Sequence, residues 1–116
     1  MRDHSELTLR NQRDFNRVYK KGKSMGSRFV VVLYKKNNLD FTRTAFVSSK
    51  KVGNSVQRSR ARRLMREAYR SFSNIIKPGY DVIFVARNTI TDSKEKDVER
   101  TLFKTIKNCD LLIRKD

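Results

Sequence analysis

Residues 50–70, KKVGNSVQRSRARRLMREAYR, constrain this chain more than any other stretch. Eight of them are basic: Lys50, Lys51, Arg58, Arg60, Arg62, Arg63, Arg66 and Arg70. Glu67 is the single acid, so the segment carries +7. It does not read as a disordered basic tail, because Ala61, Leu64, Met65, Ala68, Tyr69 and Phe72 recur through it at helical spacing. The pattern predicts a helix from an Asn54 N-cap to about Phe72, with Gln57 placed to close a capping box. On a helical wheel the apolar set covers one face and Arg62, Arg63, Arg66 and Arg70 another. Arg60 falls beside Glu67 on the far flank, and Arg58 near the apolar edge in the first turn. A merely solvated face mixes signs. A face this cationic calls for a polyanion, RNA or DNA, and the planar guanidinium suits phosphate by donating paired hydrogen bonds.

The rest of the chain sharpens this reading. Its 116 residues predict one domain over 1–116, with a net charge of +16 and a pI near 10.6. The charge is uneven: residues 1–91 hold 21 Lys/Arg and 6 Asp/Glu, whereas residues 92–116 hold 7 and 6. The C-terminal quarter is therefore not expected to be the main anion-binding face. Cys109 and His4 are each the sole residue of their type, which excludes an intrachain disulfide, a cysteine zinc site and Ser/His/Asp or Cys/His catalytic sets. Half of the acids lie in the C-terminal quarter, and no pair elsewhere is spaced for general acid/base work or for a two-metal nuclease centre. No apolar run approaches a membrane span, and MRDHSELTLR lacks the apolar core of a secretory signal. The expectation is a cytoplasmic protein with no membrane partner and no small-molecule substrate, unable to cleave anything alone.

A first helix is predicted over 11–21, with Asn11 as N-cap, Phe15, Val18 and Tyr19 on one stripe and Gly22 as the stop. RFVVVLYK, 28–35, reads as a strand with Phe29, Val31 and Leu33 on one face and Val30, Val32 and Tyr34 on the other. Apolar residues on both faces imply cover on both sides, or cover on one and a ligand on the other. A turn follows at 36–40, then a strand over 42–49, with a weakly signalled extra strand near Ser24–Ser27. Pro78-Gly79 is a turn and 80–87 a strand. Asp92 is expected to cap a last helix through about 109, with Val98, Leu102, Ile106 and Cys109 on one stripe. A strand, helix, strand series suggests a parallel pairing.

Two further features could carry chemistry. Ser48, Ser49, Lys50, Lys51 and Gly53 precede a helix N-terminus and could hold phosphate, or form a plain turn. The spacing is not that of a Walker A loop. Phe15 and Tyr19, among Arg13, Arg17, Lys20 and Lys21, could stack unpaired bases, or simply fill the core, and Tyr34 could join the same surface.

These residues resemble the protein subunit of bacterial ribonuclease P. The match rests on Ser49-Lys50-Lys51, Gly53-Asn54 and the arginine run Arg58-Ser59-Arg60-Ala61-Arg62-Arg63 followed by Arg66. It extends to Asp14-Phe15, Tyr19 and Lys20-Lys21-Gly22, and to Asp81–Arg87, so that nearly the whole chain is covered. Ser59 stands where the family usually has Asn, Ser48 where an apolar residue is common, and Arg62 where Lys is usual. The resemblance implies an α/β two-layer sandwich like the second domain of ribosomal protein S5, of order αβββαβα, with a left-handed crossover through the basic helix. From the elements alone a right-handed one would be expected. It also implies that Lys50, Lys51, Arg58, Ser59, Arg60, Arg62, Arg63 and Arg66 meet a catalytic RNA. Phe15, Arg17, Tyr19 and Tyr34 would line a cleft for the 5′ leader of precursor tRNA. Catalysis with Mg²⁺ would belong to the RNA subunit. A structural, ribosomal-type RNA-binding protein is the alternative, and a self-sufficient nuclease is disfavoured by the missing clusters.

Overall fold

The computed structural model describes residues 7–113. Helix α1, Gln12–Lys21, starts where Asn11 accepts a hydrogen bond from the Arg13 amide and stops at Gly22. A Cβ on Gly22 would stand 2.5 Å from the Val18 carbonyl oxygen and 2.8 Å from that of Tyr34, so glycine is required by close approach rather than by backbone angle. Strands β1 (Lys23–Gly26), β2 (Val30–Lys36) and β3 (Arg43–Val47) follow, then α2 (Ser55–Arg70), β4 (Tyr80–Ala86) and α3 (Glu95–Asn108). This is the expected αβββαβα order, and the weakly signalled first strand forms.

The sheet order is β1-β2-β4-β3. Strand β4 runs antiparallel to β2 and parallel to β3, with α2 as the crossover between the parallel pair. Apolar side chains sit on both faces, as the both-sided pattern of β2 required. On one face Val30, Val32, Val82 and Phe84 pack beneath α2 and α3 with Ala61, Leu64, Met65, Ala68, Val98, Leu102 and Ile106. On the other, Val18 of α1 and Leu9 meet Ala45 and Ile83, with Phe15, Leu33, Val47 and Val85 half-buried around them.

Two expected boundaries shift. Asp92 does not cap the last helix. It ends a 3₁₀ turn, Asn88–Asp92, and α3 begins at Glu95 with no side-chain cap. Buried Ile90 draws that segment into the core, and the Ser93 amide and hydroxyl both donate to its carbonyl, which closes the turn early. Phe29 also leaves the alternation and joins the α2/α3 core. Ser27 donates twice to the Val30 carbonyl, so the chain bends at 27–29 before the ladder starts.

Helix α1 is held by a cluster of charges as well as by apolar contact. The Asp81 side chain, on β4, is fully buried. Arg43 donates to it twice, Nε to Oδ1 at 2.8 Å and Nη2 to Oδ2 at 2.7 Å. Arg17 of α1 donates at 3.1 Å and the Asn37 amide at 3.0 Å. Asp14, also on α1, lies 3.3 Å from both guanidiniums. Two arginines and two aspartates thus neutralise one another across α1, β3 and β4, and the Asp81 hydrogen bond is the main reason the Arg43 pKa is raised. A buried carboxylate survives only with such partners. Replacing Asp81 by Asn should therefore lower the unfolding free energy by about 3 kcal/mol, seen as a lower urea midpoint at unchanged slope. A loss below about 1 kcal/mol would mean that the cluster behaves like an exposed pair.

Candidate nucleic-acid interface

Helix α2 begins with the anticipated capping box. The Gln57 amide donates to the Asn54 side chain and the Gln57 side chain accepts from the Asn54 amide, both at 2.9 Å. Gly53, at φ +147°, turns the chain into it. The four residues Ala61, Leu64, Met65 and Ala68 are buried, which commits the remaining faces to solvent or to a partner.

The arginines then divide by what they touch. Arg58 is half-buried and Arg63 exposed, and neither side chain has a partner among the described residues; Lys50, Lys51 and Ser59 are exposed beside them. Arg62 donates to the Ser48 hydroxyl at 2.9 Å, and that hydroxyl donates to the Arg58 carbonyl at 2.9 Å. Ser48 thus fixes one guanidinium against the start of the helix. Arg66 lies over the Phe46 ring, 5.7 Å from its centroid. Arg70 pairs with Glu67 at 3.1 Å on the surface.

Arg60 departs from the expected RNA-facing set. Its Nη2 donates to the Ser93 carbonyl at 2.8 Å and its Nη1 to the Thr91 carbonyl at 3.2 Å. The side chain is spent on the carbonyl-rich end of the 3₁₀ turn, an end with unmet acceptors that attracts a cation. Val56, which charge and motif reasoning passed over, is 75% exposed in the first turn of α2 and gives the basic surface an apolar contact point.

On the opposite face of the sheet, Phe15 and Tyr19 stack with ring centroids 6.4 Å apart. Phe15 is half-buried and Tyr19 is 48% exposed, so this helix packs on the core and also leaves ring surface open. Leu33, Val47 and Val85 complete an open apolar floor. Tyr34 is not part of it. The two-residue period of β2 puts Tyr34 on the α2/α3 side, against Tyr80 at 6.4 Å and beside Cys109. Burial first, and Cys109 second, push its phenol up. Leu33 is the β2 residue that faces Phe15's side. Arg17, expected in the cleft, is bound to Asp81 and Asp14, and its Nε is buried without a partner among the described residues.

Among the described residues no three His, Cys, Asp or Glu side chains gather as metal ligands. The two central carboxylates, Asp14 and Asp81, are already matched to arginines, so these residues do not fit a Mg²⁺ held by this chain. His4 lies outside the described residues. Cys109 is buried, which raises its thiol pKa. Among the described residues no helix is long and apolar enough to cross a membrane.

The family described as Ribonuclease P matches residues 4–110. The Ribonuclease P protein component of Alkaliphilus oremlandii is 44% identical over 104 residues, 90% of this chain and 91% of the relative. That of Clostridioides difficile is 41% identical over 106 residues, 90% and 93% of the two chains. Among solved structures, the Staphylococcus aureus RNase P protein superposes with a TM-score of 0.83 at 30% identity, over 91% of this chain and 97% of that one. The Thermotoga maritima RNase P protein gives 0.78 at 30% identity, over 87% and 96%. Sequence and fold agree with the arginine-rich crossover helix in preferring this family to a ribosomal-type protein. The chain belongs to the ribonuclease P protein-component family, the protein subunit of an RNA-containing endoribonuclease that acts in tRNA processing.

Proposed function

We propose that the chain binds the ribonuclease P RNA through one surface and the 5′ leader of precursor tRNA through another, acts in the cytoplasm, and leaves bond breaking to the RNA. The observation that carries this reading is the set of cations on and before α2 that meet no acid among the described residues: Arg58 and Arg63, with Lys50 and Lys51 in the preceding loop. Phosphates of the RNA supply the missing charge, and each contact releases counterions. Arg62 and Arg66 extend the same row, held in place by Ser48 and Phe46.

The leader would lie on the floor formed by Phe15, Tyr19, Leu33, Val47 and Val85. A base can stack on a half-exposed ring whatever its identity, so the cleft would hold a leader without demanding one sequence. Arg17 and Arg43 act here by fixing α1, not by touching RNA. Mg²⁺ would reside on RNA phosphates and not on this chain.

Reconstitution tests the whole reading. At roughly physiological Mg²⁺, cleavage of precursor tRNA should need both this protein and its cognate RNA, since a polycation lowers the salt needed to hold two polyanions together. Unchanged cleavage on adding the protein would overturn it. Phe15→Ala should weaken leader-bearing substrate by about 1–3 kcal/mol and leaderless tRNA hardly at all. In the same assay Tyr34→Phe should behave as wild type. Equal losses for both substrates, or a leader-specific loss with Tyr34→Phe, would contradict the assigned floor.

A further inference from the structure

The outer edge of β3 carries a groove of about 770 Å³ that joins the leader floor to the α2 cation row, sharing Phe15 and Val47 with the one and Arg66 with the other, and adds residues that neither contains. It starts beside Phe15, passes over β3 at Phe46 and Val47, and ends against Arg66, Tyr69 and Arg70 on the C-terminal half of α2. Three features give it a chemistry.

The first is charge. Arg10, Arg66 and Arg70 line it against one acid, Asp40. Arg10 is exposed with no partner among the described residues. Arg70 has only the exposed Glu67 pair, which holds it weakly. The second is an aromatic floor with a polar tip. The Tyr69 ring packs among Phe46, Phe72 and Phe84, at 6.0, 5.6 and 5.4 Å, and its hydroxyl finds no partner among the described residues. Burial pushes that phenol up to about 12, and like any tyrosine it is protonated and able to donate at neutral pH.

The third is the strand edge. The Thr44 carbonyl and amide point outward and are taken by the Leu9 amide and the Leu7 carbonyl, both at 2.9 Å. Two residues on, Phe46 points its amide the same way and has no such partner among the described residues. One free position is too short for an extended peptide to add as a strand, because that mode needs a run of paired backbone groups. It is enough for one base or ribose oxygen. Cations at the rim, rings on the floor and an isolated donor between them match single-stranded RNA.

We propose that a short single-stranded RNA segment occupies this groove, with its phosphates toward Arg10, Arg66 and Arg70 and its bases against Tyr69 and beside the Arg66–Phe46 pair. The site continues the leader floor around the sheet edge to α2, so the inference rests on the RNA-binding reading and adds Arg10, Tyr69 and Arg70 to it.

The test uses the full chain and a labelled octauridylate carrying 4-thiouridine. Photocrosslinks should map to Phe46 or Tyr69 as well as to Phe15 or Tyr19. Arg10→Ala with Arg70→Ala should weaken octauridylate roughly tenfold and reduce the salt slope by about 1.4, the value for two lost single-strand phosphate contacts. The thermal midpoint should not move, as both side chains are exposed. Tyr69→Phe provides a second variant that keeps the packed ring and removes the donor, and it too should weaken the oligonucleotide. Crosslinks confined to Phe15 and Tyr19, with unchanged affinity in the double variant, would overturn the site. So would an oligoglutamate peptide that binds there in preference to RNA, which would mark a protein partner. Either failure leaves the reconstituted cleavage assay unaffected, so the inference can fall while the proposed function stands.

Discussion

A chain with 28 cations and 12 acids cannot neutralise itself. Where its few carboxylates are placed therefore decides which cations support the fold and which are left for a partner. Asp81 and Asp14 consume Arg17 and Arg43. Glu67 offsets Arg70, and Asp110 meets Lys77 at 3.3 Å. Arg60 is satisfied by backbone carbonyls instead. Among the described residues many cations are left without an acid, and the densest set lies on α2 and the loop before it, where mutual repulsion favours an external anion.

The same placement of charge shapes the two surfaces proposed to meet RNA. The Asp81 cluster draws α1 onto β3 and β4 and so sets the floor on which Phe15 and Tyr19 sit. Strand β3 contributes Val47 to that floor and then runs directly into the Ser48–Lys51 turn and the basic helix. Leader floor and cation row are thus neighbours in sequence and share one strand. A strand that slipped by one residue would carry its side chains to the wrong face and break both.

Much of this was legible from residues alone. The helical period in 55–70, the Asn54/Gln57 box, the both-sided strand and the stripe of α3 all follow from local rules. Three things were not. A helical wheel gives the direction of Arg60 but not that a 3₁₀ turn thirty residues later presents carbonyls there. Asp92 looked like a cap because its neighbours permit one, whereas the burial of Ile90 decides the matter through tertiary contact. Tyr34 was drawn to the cleft by its aromatic character, although the alternation of β2 already set it opposite Leu33. One signal went unused: a lone acid, Asp81, inside the apolar strand YDVIFVA of a chain so poor in acids marks a buried ion pair.

The division of the arginines is the central claim, and single substitutions measured by salt titration of ribonuclease P RNA binding test it most directly. Arg63→Ala should flatten the dependence of log K on log salt by about one unit with no change in thermal midpoint. Arg60→Ala should leave the slope alone and lower the midpoint, because its hydrogen bonds stay within the protein. A flattened slope for Arg60→Ala beside an unchanged one for Arg63→Ala would contradict the account.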